Sequence, residues 1–273
     1  MTHLAESYTK FILNGEPTKE QIAFFDLNGF IHYKKFLDEK TIQSVLDALH
    51  VLQDKWIAEN VKEVNGIPIR YGLDENNKPI IHRFAFTSLH SKVVHDLVNH
   101  PSIQSLRKLL QVDDARLGEN EKDGVVVNQY LNSSQSKMKQ MGWHTDSLRD
   151  IFYGKRVLPM LNIGIHLTES KKIHGGLRVL KGTHKQSMYQ MIFRKPYYVN
   201  NEQDENEIAI ETEAGDLTVH HGHIWHRVAT SEIHGSDSRR ITMYIPIVCG
   251  KYAPKDSHSA TPLYHRMNIF AKK

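Results

Sequence analysis

A single cysteine, Cys249, in 273 residues leaves no intramolecular disulfide and no thiolate set for a zinc or iron–sulfur site. No stretch approaches the ~18 apolar residues of a membrane span, and Met1 to Lys10 lacks the apolar core of a secretory signal. The excess of basic over acidic residues is only 35 − 31 = +4 and is spread along the chain, which speaks against a nucleic-acid partner. Internal repeats, low-complexity tracts and Pro/Gly/Ser-rich linkers are also missing, so residues 1–273 read as one domain. With 40% hydrophobic and 24% charged residues the chain can build a core unaided, and a cytoplasmic globular protein is expected. Histidine is the exception to this plainness: there are 18, several crowded between residues 220 and 234.

The first half, about residues 18–115, reads as mainly helical. Thr18-Lys-Glu-Gln21 is a capping box ahead of Ile22 and Phe25, and Asn28-Gly29 is a stop signal. Phe30 to Tyr33 reads as a short extended piece. Asp38 then caps a longer helix with Ile42, Val45, Leu46, Leu49 and Leu52 at helical spacing. Residues 62–82 read as loop and hairpin. Two helices follow, one through Val94 and Val98 and one from Pro101 through Leu110. From about residue 120 to 250 short β-rich runs take over: Val125–Leu131, Leu161–Leu167, Leu177–Leu180, Leu217–His220 and Ile241–Val248. The expected fold is mainly β with flanking α-helices, an antiparallel double-sheet jelly roll behind a helical N-terminal half. Residues 189–214 interrupt the rhythm and read as an exposed excursion suited to a lid.

The chemistry-bearing segment is Gly142-Trp-His-Thr-Asp-Ser147. On a strand, His-x-Asp sets an imidazole and a carboxylate on one face, because side chains alternate with period two. Alone the tripeptide is common. A second segment, Gly215-Asp-Leu-Thr-Val-His-His-Gly-His-Ile-Trp-His-Arg227, offers four histidines for a third ligand. Two histidines and one carboxylate leave coordination positions vacant, as non-haem iron(II) oxygenases require; a structural zinc site would close with a fourth ligand. Arg239-Arg240 precedes the last strand, where a guanidinium could take the distal carboxylate of a metal-chelating 2-oxoglutarate.

The order His-x-Asp, about 80 residues, His, then Arg 13 later is more specific than its parts. It resembles the phytanoyl-CoA dioxygenase-like Fe(II)/2-oxoglutarate oxygenases. Gln21 to Ile31, with Phe36-Leu-Asp-Glu-Lys40, is similar to that family's opening. Gly175-Gly-Leu-Arg-Val-Leu-Lys-Gly-Thr-His184 is similar to its Gly-x-Leu-x-Val-x-Pro-Gly-Ser/Thr-His signature, and Gly215-Asp216, His226 and Arg239 to its closing block. The resemblance implies His144, Asp146 and His226 as iron ligands, with His226 chosen because it lies 11 residues beyond Gly215. It implies Arg239 as the 2-oxoglutarate clamp, with Asn128 and Asn132 as further cosubstrate contacts. Departures are Val228, where a hydroxyl-bearing residue is usual, His174 before the glycine signature, and Lys181 for its proline.

The implied activity is hydroxylation of an unactivated C–H bond of a small polar metabolite, consuming 2-oxoglutarate and O2 and releasing succinate and CO2. Arg83, Arg149 and Tyr71 are the first candidate substrate contacts, with Arg70, His82, Arg194, Tyr197 and Tyr198 on the same variable segments, and their character points to a polar or anionic molecule. The competing reading is a non-oxidative metal-binding jelly roll: an isomerase, a sensor or an inactive homologue.

Overall fold

The computed structural model describes residues 8–266 except 153 and 155. The first seven residues of the N-terminal stretch read above therefore lie outside the described residues. The strands are β1 (Phe30–Tyr33), β2 (Glu63–Val64), β3 (Ile67–Pro68), β4 (Arg70–Leu73), β5 (Pro79–Phe84), β6 (Arg116–Leu117), β7 (Val126–Tyr130), β8 (Met141–His144), β9 (Met160–His166), β10 (Gly176–Val179), β11 (Ile208–Ala209), β12 (Leu217–His221), β13 (His226–Ala229) and β14 (Arg240–Val248). The helices are α1 (Lys19–Asn28), α2 (Glu39–Ala58), α3 (Thr87–His90), α4 (Lys92–Val98), α5 (Pro101–Ser105), α6 (Arg149–Phe152), α7 (Met188–Phe193) and α8 (Leu263–Arg266).

Two antiparallel sheets form the jelly-roll core. The larger runs β1-β12-β9-β14-β7-β5-β4 with β6 beside β14, and the smaller runs β11-β10-β13-β8. The expected helices form where their caps place them: Thr18 and Gln21 make the reciprocal capping box of α1, and the Asp38 carboxylate accepts the Thr41 N–H at the start of α2. After Ser105 the α5 segment tightens into a 3₁₀ turn over Leu106–Leu110 instead of continuing as α-helix. The N-terminal half is less purely helical than its texture suggests, since β1, β4 and β5 all belong to the larger sheet. Residues 189–214 are also more integrated than expected: α7 buries Met191, and β11 pairs with β10.

Alternation along the larger sheet sorts two chemistries onto its faces. Val219 lies opposite Ile163, and Ile163 opposite Ile245, an apolar row that packs with Phe25, Val45, Leu49 and Trp56 of α1 and α2. The intervening residues form polar rows on the other face, His220 beside Asn162 and His166 beside Thr242 beside Asn128. Both faces are buried, yet only one is oily. The polar face looks toward the smaller sheet, and a cavity of about 910 Å³ lies there.

Gly215-Asp216 is a fold-building pair. Gly215 adopts φ +89°, and a Cβ there would come 2.5 Å from the Leu37 carbonyl oxygen. The Asp216 carboxylate accepts N–H groups of Lys35 and Glu213, both at 2.9 Å, and the buried His32 Nε2–H at 2.8 Å. Burial alone would raise the pKa of Asp216, but its bonds to His32, Glu213 and Lys35 hold it below the usual carboxylate range. A depressed carboxylate pKa stabilises the fold above the unfolded-state value near ~4, and that stabilisation is lost as pH falls through the folded value. Asp216→Asn should therefore cost about 1–3 kcal/mol at pH 7 and flatten the acid limb of the stability curve, measured by urea unfolding from pH 3 to 7.

Candidate metal centre

His144 ends β8 and His226 begins β13, and the two are direct partners across that antiparallel ladder. Their ring centroids lie 4.1 Å apart. Asp146 is not on the strand, because β8 stops at His144; the turn that follows is held by the Ser147 N–H donating to the Gly222 carbonyl at 3.0 Å. One ligand atom from each of His144, Asp146 and His226 falls within 4.8 Å of the others, and all three residues are buried.

The tautomers suit a metal. His144 donates Nδ1–H to the Gly142 carbonyl at 2.7 Å, and His226 donates Nδ1–H to the Ile224 carbonyl at 3.1 Å. Each keeps a bare Nε2 for coordination. Burial keeps both rings neutral, with the His144 pKa lowered to about 4 and that of His226 well below its ordinary value. Burial would raise the Asp146 pKa, but Arg149, His220 and His226 outweigh it and hold the carboxyl well below the usual range. Arg149 Nη2 binds Asp146 Oδ1 at 3.0 Å, while Asn162 Nδ2 and His220 Nε2 donate to Oδ2 at 2.9 and 3.2 Å. The centre thus holds two neutral imidazoles and one ionised carboxylate, a donor set that fits iron(II).

Above His144 the Tyr198 ring stacks at 4.5 Å with an interplanar angle of 20°. The 198–200 backbone is fixed to the edge of β8: Tyr198 N–H donates to Trp143 O, and Trp143 N–H to Asn200 O, both at 2.8 Å. Gly142 permits this approach, since a Cβ there would come 2.5 Å from the Tyr198 carbonyl oxygen.

Arg239 does not join the group. Its side chain is about a third exposed and lies 3.9 Å from Glu75, and the alternation of β14 explains why. Met243, Ile245 and Ile247 face the apolar core, whereas Tyr244 and Pro246 line the cavity, so the even-numbered Arg240 shares the inner phase, although it does not itself line the cavity. Arg240 is 4% exposed, stacks over Tyr130 at 5.1 Å and donates Nη2–H groups to the Ala229 and Lys139 carbonyls. Its Nε is buried without a partner among the described residues, and burial lowers its pKa to about 10. A buried guanidinium so placed suits the distal carboxylate of 2-oxoglutarate.

Asn128 lines the cavity, its Oδ1 buried without a partner. Asn132 does not line it: its Nδ2 donates to the Ser231 and Ile233 carbonyls and ties down the loop after β13. Arg83, Arg149 and Tyr71 all line the cavity. Arg149 is committed to Asp146 and Asp123, and the Tyr71 hydroxyl donates to backbone carbonyls of Trp56 and Val61. Sequence reasoning missed Asn162, and it offered Tyr198 only as a substrate contact rather than as a ring stacked on His144. Asn162 sits inside the alternating run Leu161-Asn-Ile-Gly-Ile-His166, and its polar phase was the available signal.

A profile of the phytanoyl-CoA dioxygenase family matches residues 25–241. The chain belongs to that family. Membership makes it an enzyme, an iron- and 2-oxoglutarate-dependent dioxygenase. No protein of curated function matches its sequence. Among solved structures, EctD from S. alaskensis with 2-oxoglutarate and 5-hydroxyectoine superposes with a TM-score of 0.64 at 14% identity, covering 98% of this chain and 88% of that one. The non-heme alpha ketoglutarate-dependent carbocyclase SnoK from nogalamycin biosynthesis gives 0.62 at 15% identity, over 92% and 91% of the two chains. HygX from Streptomyces hygroscopicus, with nickel and 2-oxoglutarate bound, gives 0.56 at 16% identity, over 90% and 89%. These likenesses are of fold. Among the described residues no helix is long and apolar enough to cross a membrane.

Replacing Asn162 by Ala removes a donor that orients Asp146 and should weaken Ni(II) binding about 10–100-fold in equilibrium dialysis. His144→Ala should abolish stoichiometric binding in the same assay, with near-UV circular dichroism verifying that the fold persists.

Proposed function

We propose that this enzyme hydroxylates an unactivated C–H bond of a small polar metabolite, releasing succinate and CO2. The observation that carries the reading is a three-donor buried centre on the cavity that β14 lines through Tyr244 and Pro246, with the buried Arg240 on the same phase of that strand and in no ion pair among the described residues. His144, Asp146 and His226 would hold the iron. Arg240 would clamp the distal carboxylate of 2-oxoglutarate, and Asn128 would stand beside it through its unpaired amide oxygen. When bound, iron and 2-oxoglutarate supply with O2 the oxidising power that protein side chains lack.

The chain's own part is geometric and electrostatic. Arg149, Asn162 and His220 keep the Asp146 carboxylate ionised and oriented. Gly142 and Ile224 carbonyls fix the two imidazoles. Tyr198 covers one face of His144 and shields that side from water. At about 910 Å³ the cavity has room for the cosubstrate together with a metabolite of modest size. Two readings about context go with this proposal: residues 1–273 form one oxygenase domain, and the lone buried Cys249 suits the reducing cytoplasm. Cyclisation is a second outcome for the same centre, because a structural neighbour is described as a carbocyclase.

Anaerobic addition of Fe(II) and 2-oxoglutarate should produce a visible metal-to-ligand charge-transfer band. Arg240→Ala should raise the 2-oxoglutarate concentration needed for half the band about 100-fold, while Arg239→Ala should change it less than about twofold. A flat spectrum for the native enzyme at saturating ligand would remove the proposal. A metabolite-pool screen coupled to succinate release should then reveal a product heavier by one oxygen; succinate with loss of two hydrogens and no oxygen gained would instead mark cyclisation.

A further inference from the structure

The β4–β5 hairpin sets Arg70 directly opposite Arg83, and Arg83 in turn lies opposite Asn128 of β7. Both arginines line the cavity. Like charges facing one another across a ladder repel, and burial aggravates the repulsion. Arg83 is 8% exposed, and burial followed by the Arg83 charge lowers the Arg70 pKa to about 10.

Arg83 shares its carboxylate partner with other groups. Asp123 Oδ2 accepts from Arg83 Nη2 at 2.7 Å, but the same oxygen lies 3.3 Å from Arg149 Nη1. The other oxygen of Asp123 is taken by the Tyr264 hydroxyl at 2.6 Å and faces His265 Nε2 at 3.4 Å. Arg83 Nη1 is left buried with no partner among the described residues. Across the described lining, six basic side chains face two carboxylates, Asp123 and Asp146; Lys122 is paired with Asp150 behind the lining, and Asp146 belongs to the metal centre. Val126, Met138, Met141 and Val228 supply apolar surface to the same cavity.

We propose that Arg83 and Arg70 form an oxyanion site, separate from Arg240, that takes the carboxylate or phosphate group of the substrate. This deepens the hydroxylase reading and rests on it: the substrate is an acid with an apolar body, anchored at the hairpin by its charged end. Arg83 presents the unmet Nη1–H, and Arg70 supplies the second positive charge across the ladder. Arg149 is excluded from this role because Asp123 and Asp146 already occupy it.

The test uses the full chain loaded with redox-inert Ni(II) and saturating 2-oxoglutarate, so that the metal and Arg240 are already engaged. Inorganic phosphate and, separately, acetate are titrated by calorimetry at constant ionic strength. One saturable site is expected. Preference for phosphate identifies a phosphorylated substrate, and preference for acetate a carboxylic acid. Arg83→Gln and Arg70→Gln should each weaken binding about tenfold or more. Because Arg83→Gln leaves Asp123 short of a partner, Arg83→Gln/Asp123→Asn serves where the single variant fails to fold, and the half-exposed Arg70→Gln stands as an independent check. Absence of saturable binding by either anion, or binding unchanged in the arginine variants, overturns the site. If 2-oxoglutarate binds in the loading step and neither anion does, the hydroxylase reading stands and this inference alone falls; if 2-oxoglutarate does not bind, it is the hydroxylase reading that fails.

Discussion

An ionised carboxylate buried between two sheets is the constraint around which this molecule is arranged. Asp146 would be prohibitively costly to bury alone. Arg149, Asn162 and His220 reach it from three different elements, and none of them coordinates the metal in the proposed arrangement. By satisfying the carboxylate in advance, they hold it beside the two imidazoles before any ion arrives. The metal therefore enters a site whose donors need little reorganisation.

The same constraint explains why the larger sheet is buried on both faces but apolar on only one. Helices α1 and α2 cover the face carrying Ile163, Val219 and Ile245, and provide the burial that stabilises the sheet. The opposite face can then afford histidine, asparagine, threonine and tyrosine. The N-terminal helices contribute to chemistry indirectly, by freeing the inner face from the work of holding the fold together.

The local signals in the sequence translated well into structure. Thr18 with Gln21, Asp38 and the apolar spacing of α2 specify their helices through contacts only a few residues long. The histidines of the site were legible as residue types, but strand phase was not: Arg239 and Arg240 differ by one position, and only the register of β14 sends one outward and the other inward. Asn132 reads from the sequence as a further cosubstrate contact after Asn128, yet it ties down a loop about 100 residues away in sequence. The pairing of Arg70 with Arg83, and the stacking of Tyr198 on His144, depend on distant registers that no short motif encodes.

The junction between β8 and residues 198–200 is made by main-chain atoms, with Gly142 giving the clearance. At the junction itself such an attachment is indifferent to the side chain of Val199. Val199, which is 85% exposed and lines the cavity, can thus vary and retailor that wall for new molecules without loosening the segment, whose farther end is held by the buried pair of Glu207 with Arg227. Evolvability at the entrance and rigidity at the centre meet at one glycine.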